Sequence, residues 1–174
     1  MARHFKLTNE TKINIFGVTL FRIECAIDCK WAKVGDKGGW VEKEDNLSGN
    51  AWVYGEAEVS GNAEVYGNAE VYGNARVYGN ARVYGDARVY GDARVYGDAR
   101  VYGDADYCCF QSFGSCGRTT TAFKEKGGNI RIHCGCFNGT IEEFLNKVTE
   151  THGDSKLGRE YKAIVDVIKI KFSE

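Results

Sequence analysis

Residues 46–105 read NLSGNA, WVYGEA, EVSGNA, EVYGNA twice, RVYGNA, and then RVYGDA four times. These ten hexads put Leu47 and then valine, from Val53 to Val101, at every sixth position. Alanine follows each four residues later, from Ala51 to Ala105. A period of six fits no helix, because 3.6 residues per turn would scatter the valines around the surface. It fits short strands that turn at regular corners. Valine favours strands, and Gly-Asn or Gly-Asp supplies the backbone freedom of a corner. Val and Ala share parity and face inward, while Tyr and the Arg or Glu of each hexad face outward. Three hexads make one turn of 18 residues, so 60 residues give 3.3 turns.

Such stacking predicts ladders of like residues. An 18-residue register aligns Tyr66, Tyr84 and Tyr102 below Ser48, aligns Tyr54, Tyr72 and Tyr90, and puts Tyr78 and Tyr96 below Ser60. It also runs Glu64 to Arg82 and Arg100, Glu70 to Arg88, and Glu58 to Arg76 and Arg94, acidic first and basic last. The motif VYGDAR resembles the hexapeptide repeat of left-handed parallel β-helices, an aliphatic residue followed four later by a small one. Tyrosine after the valine departs from that pattern. A core of three Val and three Ala per turn is thin, and open coil ends expose unpaired strand edges. End caps, oligomerisation or both are therefore expected.

The flanks read as those caps. Ile13 to Ile23 is apolar and β-branched with a turn signal at Gly17, which predicts a hairpin. Trp31, Trp40 and Trp52 cluster around the start of the repeat and are expected to plug its end. After Ala105, residues 119–123 and 129–137 read as strands, with Ile130, Ile132, Cys134 and Cys136 on one face. Thr140 and Glu143 form a capping box before Ile141, Phe144, Leu145 and Val148 at helical spacing, and Gly153 ends that helix. A second helix starts near Ser155, with Leu157, Tyr161, Ile164, Val165 and Ile168 inward, and the alternating Ile168-Lys169-Ile170-Lys171-Phe172 reads as a strand. The expected fold is mainly β: a left-handed parallel β-helix of about three coils over 46–105, a small N-terminal β cap over 1–45, and a C-terminal α+β cap of ββαα order over 106–174.

The whole order resembles an uncharacterised group of phage and prophage proteins. The shared motifs are GGW-x-E-K-E-x-N-L, here Gly38 to Leu47, the VYGDAR-like hexads, and GCF-x-G-T-x-E-E-F, here Gly135 to Phe144, followed by Thr151-His152-Gly153. The resemblance implies a phage-encoded protein acting in a bacterial cytosol and supplies no catalytic residues.

Candidate chemistry lies in the C-terminal segment. Hexapeptide β-helices are often acyltransferases that use a coil or loop histidine as base. Here His4, His133 and His152 all fall outside the hexads. Cys108, Cys109, Cys116, His133, Cys134 and Cys136 could offer thiolate and imidazole ligands, but no paired CxxC knuckle is present and no metal site is assigned. Gly114-Ser115-Cys116-Gly117-Arg118-Thr119-Thr120-Thr121 combines glycines, hydroxyls and an arginine, the groups of a phosphate or carboxylate pocket. It lacks the lysine of a P-loop. The candidate binding residues are Ser115, Arg118, Thr120 and Thr121, with Arg94, Arg100, Tyr96 and Tyr102 from the last coils, and His152, which also reads as a helix C-cap residue.

Composition narrows the function classes. The chain has 174 residues, with 23 Lys and Arg against 24 Asp and Glu and a net charge of −1, spread evenly. Direct nucleic-acid binding is not expected. No apolar run reaches the about 18 residues of a membrane helix. Met1 to Lys6 carries no apolar signal segment, so the seven cysteines are expected reduced in a cytosol. The resulting expectation is a non-enzymatic, trimeric, cytoplasmic binding protein without cofactor. It would capture a host protein or a small anionic or nucleotide ligand, as an inhibitor of antiviral defence. An acyltransferase-like enzyme and a structural scaffold or virion protein are the alternatives.

Overall fold

The computed structural model describes residues 3–173, apart from the side chain of Asp104. Met1 and Ala2, part of the N-terminal segment read for export, lie outside the described residues. The chain divides into two compact units, residues 1–104 and 105–174.

The first unit is a parallel β-solenoid with three walls. Its rungs are β4 (Trp52–Val53), β5 (Glu58–Val59), β6 (Glu64–Val65), β7 (Glu70–Val71), β8 (Arg76–Val77), β9 (Arg82–Val83), β10 (Arg88–Val89), β11 (Arg94–Val95) and β12 (Arg100–Val101). They pair in the orders β4-β7-β10, β5-β8-β11 and β6-β9-β12. Register is set by the inward residues: Val53 lies beside Val71, Val65 beside Val83, and Val77 between Val59 and Val95. Every valine and alanine from Ala51 to Val101 at these positions is fully buried. Backbone amides donate across coils, as from Glu64 to Ala81, Tyr66 to Val83 and Asn68 to Gly85 at 2.8–2.9 Å.

Each corner glycine from Gly49 to Gly97 has positive φ, between 56 and 74°. At Gly67 the limit is also steric, because a Cβ would come within 3.0 Å of the Gly85 nitrogen on the next coil. The corner amides form a further ladder: Asn68 Nδ2 donates to Asp86 at 3.1 Å and Asn74 Nδ2 to Asp92 at 3.0 Å.

The outward ladders follow the expected register. Tyr66 stacks on Tyr84 at 5.0 Å, Tyr72 on Tyr90 at 5.4 Å and Tyr78 on Tyr96 at 4.8 Å. Arg82, Arg88 and Arg76 pair with Glu64, Glu70 and Glu58 at 3.1, 3.2 and 3.4 Å. Burial pushes the Tyr66 and Tyr78 phenols above the usual value of 10.0, and burial with Glu70 nearby raises Tyr54. These groups keep their protons in the fold after an unfolded chain has lost them. Their contribution to stability is thus present below pH 10.0 and is lost as pH rises through the raised values. The melting temperature is expected to fall steadily above pH 10.0, and native tyrosinate absorbance to lag behind that in denaturant. Coincident titration in both states would refute this.

A hairpin of β1 (Phe5–Ile13) and β2 (Thr19–Cys25), turning at Gly17, joins β3 (Lys37–Val41). β3 then pairs in parallel with β5, which makes it the first rung of that wall. The tryptophans do not plug the coil. Trp40 shares register with Glu58 and Trp52 with Glu70, both outward positions, and the N-terminal segment covers them. Lys12 and Arg22 lie over the Trp40 ring at 4.7 and 4.9 Å, and His4 lies 5.9 Å from Trp52. Ile23, fully buried, packs instead against Gly38, where a Cβ would approach its Cγ1 to 2.5 Å.

The second unit is an antiparallel sheet, β13 (Tyr107–Phe110), β14 (Thr120–Lys124), β15 (Ile130–Cys134) and β16 (Phe137–Thr140), in that order, followed by α1 (Ile141–His152) and α2 (Lys156–Phe172). The core joins Ala122, Ile132 and Cys134 to Phe144, Val148, Tyr161, Ile164, Val165 and Ile168. The capping box forms as expected: the Thr140 hydroxyl accepts from the Glu143 amide at 3.2 Å, and Glu143 accepts from the Thr140 amide at 2.8 Å.

Three expectations are corrected. The sheet has four strands before the helices, not two. Residues 168–172 continue α2, because Ile164, Val165 and Ile168 bury at helical spacing while Ile170 remains 73% exposed. Cys136 is exposed rather than inward, because β15 stops at Cys134 and Gly135 turns at φ 61°. Among the described residues, no helix is long and apolar enough to cross a membrane.

Candidate functional site

The loop from Phe110 to Thr120 carries two non-glycine residues at positive φ, Ser112 at 66° and Cys116 at 61°. Residues held in this region cost free energy and persist only where surroundings hold them. Here the hold is Tyr161 of α2, whose ring is nearly fully buried. The Ser115 amide donates to the Tyr161 hydroxyl at 3.0 Å, and the Ser115 hydroxyl lies 3.3 Å from it. The Gly114 amide donates to Glu160 at 3.0 Å. Gly114 has φ 68°, and a Cβ there would overlap the Tyr161 ring.

Beside this loop the second unit contains a cavity of about 360 Å³. Phe137, Phe144, Val148 and Tyr161 give it apolar walls, and Arg118, Lys147 and His152 bring cationic or protonatable groups. Among the described residues, no carboxylate lines it. Arg118 is exposed and, among the described residues, has no hydrogen-bond or ion-pair partner; its side chain lies against Gly135, which has no Cβ to obstruct it. Lys147 pairs with Glu150 at 2.8 Å on the exposed side of α1. The His152 ring stacks on Tyr161 at 5.6 Å. A cavity with apolar walls and donors at its mouth takes an anion with an attached apolar or flat part.

Of the residues expected to bind, the structure brings Ser115, Arg118 and His152 together in this cavity. Thr120 and Thr121 lie in β14, fully buried, and present nothing to it; the Thr120 hydroxyl is bonded to the Cys134 thiol at 3.2 Å. Arg94 and Tyr96 lie on one solenoid wall and Arg100 and Tyr102 on another, and none lines the cavity. Arg100 donates to the carbonyl of Asn80 at 3.2 Å. The sequence reading missed Lys147, Thr151 and Tyr161. Phe144, Lys147, Val148 and Thr151 follow at helical spacing, so the face of α1 was available as a signal.

Among the described residues, no three His, Cys, Asp or Glu side chains converge as a metal group would require. All seven cysteines are free. Burial pushes the Cys108 thiol up to about 11.

The repeat and its three parallel walls define a β-solenoid protein. A family model described as the YdcK β-solenoid repeat matches residues 69–85, 75–91, 81–95 and 93–105, within the coils. No curated protein matches the chain.

Proposed function

We propose that this β-solenoid protein is a non-enzymatic binding protein that captures a small anionic ligand in the cavity of its second unit. The observation that carries the reading is that, among the described residues, Arg118 is unpartnered at a cavity that Lys147 and His152 also line and no carboxylate does. Resemblance to phage and prophage proteins supports the finer reading: a phage product in the host cytosol that sequesters a nucleotide signal or blocks an effector of antiviral defence. The hexapeptide pattern supports left-handed winding, and the thin core supports a homotrimer.

Calorimetric titration of the full chain with inorganic phosphate and with adenosine monophosphate tests the capture. Saturable binding is expected, with the nucleotide tighter. Arg118→Ala should weaken it roughly tenfold to a hundredfold, the loss of a charge-assisted hydrogen bond. Equal affinity in the variant, or no binding of either probe, would overturn the reading. Release of free thiol from acetyl coenzyme A would favour an acyltransferase instead.

A further inference from the structure

The first unit holds a second recess, unrelated to the anion cavity. It is a groove of about 480 Å³ on the solenoid's outer face, lined by Trp31, Tyr54, Tyr72, Glu70 and Arg88. Three aromatic rings therefore surround one acid and one base. The rings are positioned by the surrounding structure. Trp31 Nε1 donates to the Asn68 carbonyl at 3.2 Å, and Tyr54 and Tyr72 meet edge to face at 6.4 Å. Glu70 is occupied on both oxygens, accepting from the Tyr54 hydroxyl at 3.1 Å and from Arg88 Nε at 3.2 Å. That pairing fixes the guanidinium plane through Nε. It leaves the two Nη nitrogens, among the described residues, without a partner.

We propose that this groove binds the guanine base of a free nucleoside or nucleotide. A planar heterocycle stacks on aromatic faces whatever its sequence context. A guanidinium held at Nε presents its remaining N–H groups as a fork, and guanine answers a fork with two adjacent acceptors, O6 and N7. Adenine offers an acceptor beside a donor and fits the fork poorly. The acid and base of the lining cancel, so the groove selects an uncharged planar ring rather than an anion. Lys30, exposed and 4.3 Å over the Trp31 ring, stands beside the groove and lies 3.9 Å from Asp86.

The test follows the indole N–H resonance of Trp31 in the full chain, assigned with Trp31→Phe. Trp40 and Trp52 are buried and serve as silent internal references. Guanosine should shift the Trp31 signal saturably, and adenosine should bind roughly tenfold more weakly or worse. Arg88→Lys keeps the charge and loses the fork, so it should erase the preference for guanosine. Arg118→Ala should leave guanosine binding unchanged, which separates this groove from the anion cavity. Equal binding of the two nucleosides, an unaltered preference in Arg88→Lys, or no saturable shift would overturn the proposal.

Discussion

Val77→Asp is expected to unfold the solenoid. Val77 is fully buried, between Val59 on one coil and Val95 on the next. The inward positions of the coils around it are fully buried valine and alanine, whose side chains carry no donor for a carboxylate. An unpaired charge there costs several kcal/mol, on the order of 4 or more. Each coil contributes only a thin layer of apolar contacts, and neighbouring coils depend on one another through their backbone bonds. The disruption should therefore spread beyond one rung. Urea denaturation followed by circular dichroism is expected to show loss of the cooperative transition of the first unit. The adjacent Arg76→Ala supplies the control. Its side chain faces outward and pairs with Glu58 at 3.4 Å, and Glu58 retains Lys12 at 2.9 Å. That variant should stay within about 1 kcal/mol of the parent. A folded Val77→Asp protein would refute the inward assignment.

Gly114→Ala is expected to be a severely damaging single-methyl change in the second unit. Its backbone sits at φ 68° and ψ −158°, a conformation essentially reserved for glycine, at a cost of about 1–3 kcal/mol for other residues. The added methyl would also overlap the Tyr161 ring. Overpacking of this kind adds about 1–3 kcal/mol. Relief requires Tyr161 or the loop to move, and either motion breaks the Ser115 amide bond to the Tyr161 hydroxyl. The variant should melt at lower temperature and lose phosphate binding together. Gly127→Ala isolates the backbone part, since Gly127 has φ 104° and nothing within 4 Å of a Cβ. If both variants cost the same, contact with Tyr161 is not what matters at Gly114.

The solenoid was legible in the sequence because its determinants are local and repeated. Val at one position and Gly three before the next hexad state the rung, the corner and the register at once. The tyrosine stacks and Arg–Glu pairs follow from that register by counting. The second unit repeats nothing, so its reading relied on single windows. There Ile168 to Phe172 alternates like a strand, and only packing of Ile164, Val165 and Ile168 against the sheet settles it as helix. β16 escaped notice because Phe137-Asn138-Gly139-Thr140 has weak strand character and is held by pairing with β15. The tryptophans misled for a related reason. Bulk and hydrophobicity suggested a plug, but parity with Glu58 and Glu70 places Trp40 and Trp52 outside. In the candidate cavity, Ser115, Arg118 and His152 were visible as polar groups in suggestive positions. Tyr161 was read as a core residue, and its hydroxyl's role in fixing the Ser115 loop depends on a contact across 46 residues.

Like residues recur at intervals of 18, as in the Asn68–Asp86 and Asn74–Asp92 bridges. A gene encoding near-identical tandem units is prone to slip during copying. Here such slippage has a graded outcome. Gain or loss of three units lengthens or shortens the prism by one full storey, and the chain still leaves by the same side. Gain or loss of one unit keeps every rung satisfied but moves the exit to another side. Size in this architecture can thus drift in whole storeys across a lineage without any new interior having to be invented.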